Sequence, residues 1–166
     1  MNWLERLVEA FVRWVERCIP AYDPQNWADG IQFTNNCYNY ACAIRTDTWA
    51  QPGRATGHMY SFPIDCAGID AAARSDGLRP LDCDRGCGCR DCCYKVALAI
   101  APGEVYNDFN WYRLDRDGYW SHKPGWTVTN LDNSGNPITD PRTADRGPYT
   151  VFCGCYCVCQ GQVTIS

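Results

Sequence analysis

The chain has 166 residues, 46% hydrophobic and 13% aromatic, with a net charge of −4. That composition belongs to a packed globular protein and excludes a disordered one. Thirteen of its fifteen basic residues are Arg, and they are scattered. The missing cationic cluster argues against a nucleic-acid partner, because phosphate backbones are met by concentrated positive charge.

Trp3, Leu4, Leu7, Val8, Phe11, Val12, Trp14 and Val15 recur at three- and four-residue spacing, with Glu and Arg between them. This predicts an amphipathic helix over 1–19, stopped by Pro20. The helix packs on the domain or makes an oligomer contact. Its polar face mixes signs, which disfavours a membrane surface. Residues 22–33 read as a connection. Cys37–Ile44 reads as a helical segment capped by Asn35 or Asn36, since an amide side chain can accept from an unpaired backbone N–H. Residues 46–63 read as a loop, and 66–76 as a second helix closed by Gly77.

Residues 82–93 form a Cys-rich insert. Lys95–Ala101 is a continuous apolar run, expected to be a buried strand. Asn107–Arg113 and Tyr119–Gly125 flank Asp117-Gly118, a strong hairpin signal because Gly accepts the positive φ of a primed turn. Residues 127–150 are a long loop rich in Gly, Pro and Asn, and Val151–Val158 returns to strand-like residues. Helices followed by an antiparallel sheet predict an α+β fold in a single domain, 1–166, with no internal repeat.

Thirteen cysteines approach the density of a disulfide scaffold. The count is odd, however, and Met1-Asn2-Trp3-Leu4-Glu5-Arg6-Leu7 does not read as a signal peptide. No run has the length of a transmembrane segment. These features favour a cytoplasmic protein, with non-classical secretion as the alternative. Cys153, Cys155, Cys157 and Cys159 alternate, so on a regular strand all four face one way. Cys83, Cys87, Cys89 and Cys92 are candidate zinc ligands, since structural zinc takes four closely spaced thiolates or imidazoles. Disulfides or free thiols are the other readings, and spacing does not choose among them.

A thiol at a helix start is activated by the partial positive charge there, and an imidazole can take its proton. Cys37 and His122 are the candidate nucleophile and base. Asn110, Asp108 or Asp132 would orient the ring, Asn36 would help hold an oxyanion, and His58 is the alternative base. Trp111, Trp120 and Trp126 are candidate substrate-wall residues. This pattern favours a cysteine-dependent hydrolase or acyl transferase acting on a peptide or amide substrate, with no cofactor required for catalysis. The alternative is a non-catalytic module, bound to zinc or stabilised by disulfides.

Asp108-Phe109-x-Trp111-Tyr112-Arg113, Trp120-Ser121-His122-Lys123-Pro124-Gly125 and Asp140-Pro141-Arg142-Thr143-Ala144-Asp145-Arg146-Gly147-Pro148-Tyr149 resemble blocks of a family of small, largely uncharacterised bacterial proteins. Thr129–Asp132 with Ser134-Gly135, Asn36–Ala41 and Gln51-Pro52-Gly53 look like further blocks. The Cys and His blocks look like those of papain-like or NlpC-like cysteine hydrolases, which implies that architecture, a thiol protease activity and a Cys–His pair. One position departs: the pattern has histidine after Asp-Phe, and this chain has Asn110. If that histidine is the family's base, the resemblance implies that either His122 serves in its place or the chain is a catalytically impaired member.

Overall fold

A computed structural model describes residues 2–88 and 91–166. The elements are α1 (Trp3–Cys18), a 3-10 turn (Pro24–Trp27), α2 (Ile31–Thr34), α3 (Cys37–Cys42), α4 (Cys66–Ser75), β1 (Arg79–Leu81), β2 (Cys93–Pro102), β3 (Asn107–Leu114), β4 (Trp120–His122) and β5 (Val151–Cys159). The five strands form one antiparallel sheet in the order β1-β5-β2-β3-β4. The fold class is α+β, as the sequence pattern predicts.

Three of the helices, α1, α3 and α4, start where the sequence provides a side-chain cap. Asn2 accepts from the backbone N–H of Glu5, and the Glu5 carboxylate accepts from the Asn2 N–H in return. Asn36 accepts from Tyr38 and Asn39 in the same reciprocal way. Asp65 caps α4 through the Gly68 N–H. Such caps satisfy donors that have no partner inside the helix.

The central strand β2 reads Cys-Tyr-Lys-Val-Ala-Leu-Ala-Ile-Ala-Pro, and its two faces carry different side chains. Tyr94, Val96, Leu98 and Ile100 pack with Phe109, Trp111, Tyr156, Val158 and the buried faces of α3 and α4. Ala97, Ala99 and Ala101 pack with Tyr112, Trp120, Ile138 and Cys155 on the other face. Large residues on the helix side and alanines on the loop side let the 127–150 segment lie close to the sheet. Among the described residues that segment contributes only isolated bridges, such as Trp120 with Ile138 and His122 with Thr129.

The hairpin turns at Asp115–Gly118, where Gly118 has φ +87°, the left-handed conformation that favours glycine. Tyr112 stands opposite His122. The buried Arg113 ties the hairpin to the helices. Its Nε donates to Asp115 Oδ1 at 2.7 Å and its Nη2 to the Tyr40 hydroxyl at 2.9 Å and the Ala21 carbonyl at 3.0 Å.

The alternating cysteines of β5 do not all face one way. The register against β2 shifts between Leu98–Gly154 and Ala99–Phe152, so Cys153 is the extra residue of a β-bulge. The bulge moves Cys153 to the helix side, where it packs with the main core and bonds to Cys66 of α4. Cys155, Cys157 and Cys159 keep the opposite face and bond to Cys83, Cys87 and Cys93.

Candidate functional site

A cleft of about 420 Å³ opens beside the N-terminus of α3, lined by Asn36, Cys37, Asp108 and Asn110 together with Lys123 and several aromatic rings. The capping pattern at Asn36 starts the helix there and sets Cys37 at its first position. The Cys37 thiol makes its contact with the Phe109 carbonyl, at 3.7 Å. Burial pushes its pKa up to about 12, only partly opposed by the Trp111 backbone N–H and by Lys123. Cys37 is therefore a protonated thiol at neutral pH.

His122 lies elsewhere. Side chains alternate along a strand, so Trp111 and Tyr112 leave β3 on opposite faces. Cys37 belongs to the core that contains Trp111, whereas His122 stacks on Tyr112 with ring centroids 4.8 Å apart. Both imidazole nitrogens are engaged. Asn110 Nδ2 donates to Nδ1 at 2.8 Å, and Nε2–H donates to the Leu131 carbonyl at 3.2 Å. Burial lowers the His122 pKa to about 4. Its ring borders a second cavity, with Thr129, Asp132 and Arg146. The structure thus brings Asn110 to His122 but leaves no hydrogen bond between His122 and Cys37.

The remaining candidates are similarly occupied. Asp108 Oδ2 accepts from the Tyr106 hydroxyl at 3.2 Å and the Tyr149 hydroxyl at 3.0 Å. The Asn36 amide donates to the Ala50 carbonyl at 2.8 Å, and its oxygen caps α3. Asp132 holds the loop amides of Ser134 and Asn136. His58 is exposed and bonds to the Thr56 carbonyl. Trp111 is fully buried between Tyr38 and Tyr156, and Trp120 is buried on the opposite face. Trp126 is exposed against Phe33 and Trp49.

The zinc expectation is corrected by sulfur chemistry. Cys83, Cys87 and Cys92 are bonded to Cys155, Cys157 and Cys18, so none offers the thiolate that zinc needs. Cys89 lies outside the described residues. Among the described residues no three His, Cys, Asp or Glu side chains converge as metal ligands. Sequence reasoning missed the cleft's aromatic residues Trp49, Tyr60, Phe62, Tyr106 and Tyr149. They come from loops and strand ends with no shared period, so no spacing signal announces them.

The chain is 50% identical over 140 residues to insoluble matrix shell protein 1 of Ruditapes philippinarum, a match covering 82% of this chain and 88% of that protein. The chain belongs to the insoluble matrix shell protein family. No family model and no solved structure matches it. Membership in the shell matrix family replaces the bacterial cysteine-hydrolase resemblance. It also overturns the thiol protease or acyl transferase reading and, with it, the peptide or amide substrate. The geometry agrees, since the thiol is protonated and the imidazole lies across the sheet. The cytoplasmic expectation falls for the same family reason and for a redox one. Five disulfides belong to an oxidising environment, because reducing compartments keep such thiols open. Among the described residues no helix is long and apolar enough to cross a membrane.

Proposed function

We propose that this chain is a structural component of an insoluble extracellular matrix, built as a disulfide-locked body that joins further copies through α1. The observation that carries this is the open apolar face of α1. Trp3 is 73% exposed and Phe11 60% exposed, and Leu4, Leu7, Val8 and Val12 are exposed beside them. Contiguous apolar surface of this kind marks an association site. Among the described residues the helix is fixed to the body at its C-terminal end, through buried Cys18 and its bridge to Cys92 and through bonds from Arg116 and Gln160 to the Glu16 and Arg17 carbonyls. The relative's description as an insoluble shell matrix protein supports the same reading.

The charges on α1 favour a second copy as the occupant. At roughly 100° per residue, Glu5, Glu9 and Glu16 form one column and Arg6, Arg13 and Arg17 the adjacent one. The apolar arc spans about 200° on the same wheel, wide enough for each helix to touch two neighbours rather than one. In a parallel bundle the glutamate side of one helix faces the arginine side of the next. In an antiparallel pair like columns would meet. Parallel self-association is thus selected by charge and driven by burial.

Light scattering on the oxidised chain at increasing concentration tests this. Wild type should grow beyond the monomer, and Phe11→Asp should remain monomeric with unchanged circular dichroism, since Phe11 touches only its own helix neighbour Trp14 among the aromatic rings. A wild type that stays monomeric at every concentration refutes the assembly.

A further inference from the structure

The cleft beside α3 carries one carboxylate and one ammonium, so its charge sums to about zero, and both groups make their hydrogen bonds within the protein. The Asp108 carboxylate is held by two tyrosine hydroxyls and the Phe109 N–H. Lys123 is buried, and its ammonium donates inward to the Gln32 carbonyl at 2.8 Å and the Gly125 carbonyl at 2.7 Å. Cys37 is a neutral thiol. An ionic ligand would meet no net counter-charge here, because Asp108 and Lys123 balance one another.

What the cleft does present is flat aromatic surface edged by amides. Phe62 is 67% exposed and Trp49 48% exposed, and both line the opening. The Trp49 ring is held in place, its Nε1 donating to the Phe33 carbonyl at 2.9 Å and its face edged by Trp126 at 5.6 Å. Trp126 in turn meets Phe33 at 5.3 Å. The aromatic surface therefore continues beyond the cleft itself. Between the rings stand the amides of Gln51 and Asn107. The Asn107 oxygen accepts from the Ile64 N–H, while its NH₂ group makes no hydrogen bond among the described residues. A volume of about 420 Å³ falls within the usual range for ligand clefts.

Rigid aromatic faces suit the C–H faces of pyranose rings, amides suit their hydroxyls, and a cleft whose charges sum to about zero suits a neutral chain. We propose that this cleft binds a neutral polysaccharide strand, with sugar rings stacked on Phe62 and Trp49 and a hydroxyl bonded to the open NH₂ group of Asn107, while the Gln51 amide is held by the Trp49 carbonyl and the Tyr60 hydroxyl. Continuation of the aromatic surface to Trp126 and Phe33 favours several linked sugars over one. This site is independent of α1, so either proposal can fail while the other stands.

The test uses the full oxidised chain, calorimetry and tryptophan fluorescence, with three probes: a β-1,4-linked glucose hexamer, a β-1,4-linked N-acetylglucosamine hexamer, and gelatin as a polypeptide. At least one hexamer should bind and change the tryptophan emission. Phe62→Ala and Trp49→Ala should each weaken it about tenfold or more, and the monomeric Phe11→Asp variant should bind as wild type does. Phe62 is so exposed that its loss leaves the fold intact, which near-ultraviolet dichroism verifies. The proposal is overturned by failure of both hexamers at millimolar concentration, by binding of gelatin alone, or by unchanged affinity in both cleft variants.

Discussion

A buried imidazole held neutral by its neighbours makes folding sensitive to acid. The folded His122 pKa lies near 4 and the ordinary value is 6.5, with burial as the cause. Above pH 6.5 both folded and unfolded chains keep the ring neutral, so it adds no pH dependence. Between about 6.5 and 4 the unfolded chain takes a proton that the folded chain refuses, and stability falls as pH falls. The loss levels off below pH 4 at on the order of 3 kcal/mol. Asp76 and Asp115, whose pKa values burial raises, work in the opposite sense at the acid end. Urea midpoints at pH 7 and pH 4.5 should therefore separate more in wild type than in His122→Gln, and equal separations would refute the assignment. The thiols make a companion prediction. Cys37 and Cys42 are buried and burial raises both pKa values, so iodoacetamide at pH 8 should leave them unmodified in the folded chain and label both after unfolding without reductant. Cys37 was legible as a helix-start cysteine, because Asn36 caps α3 by local hydrogen bonds. Its protonation was not legible, since it depends on strands contributed more than sixty residues later.

Local pattern predicts elements well here and their relative faces poorly. The period of α1 and the apolar run of β2 match the structure because each depends on short-range chemistry. The hairpin turns near Asp117-Gly118 as expected, although with Arg116 and Asp117 central and only Gly118 at positive φ it is not a primed turn. The side assignments of β5 failed at a single residue. The bulge at Cys153 is imposed by pairing with β2, and only the tertiary register reveals it. The same limit hid the separation of Cys37 from His122, which depends on which face of β3 each approaches. Arg113 supplies a test at this scale. Replacing it with Met leaves Asp115 buried without its guanidinium partner and frees Tyr40 and Ala21 as well. The expected loss is about 3–5 kcal/mol by denaturant titration, because one buried charge is left uncompensated. A loss under 1 kcal/mol would show that the network contributes little.

Across the molecule the cysteines settle what composition alone left open. Five bridges close loops of 66 to 87 residues, so they restrict the unfolded chain strongly. Cys66→Ser with Cys153→Ser should cost about 2–4 kcal/mol and lower the melting temperature while leaving the sheet intact. An unchanged melting temperature would show that this bridge is redundant. The pairing was not legible in spacing, because it is set by which strand neighbours β5 and by the side each thiol faces.

Those bridges overlap in sequence as well as in space. Cys18–Cys92 spans the first half, and four others run from residues 66–93 to residues 153–159. Every peptide bond between Cys18 and Cys159 therefore lies inside at least one closed ring. A protease that cuts any one exposed loop opens a ring without releasing a fragment. The nicked chain should run as one band without reductant and as two pieces with it. A material made from such units would outlast many single cuts, since each unit tolerates a break in its backbone and remains one covalent body.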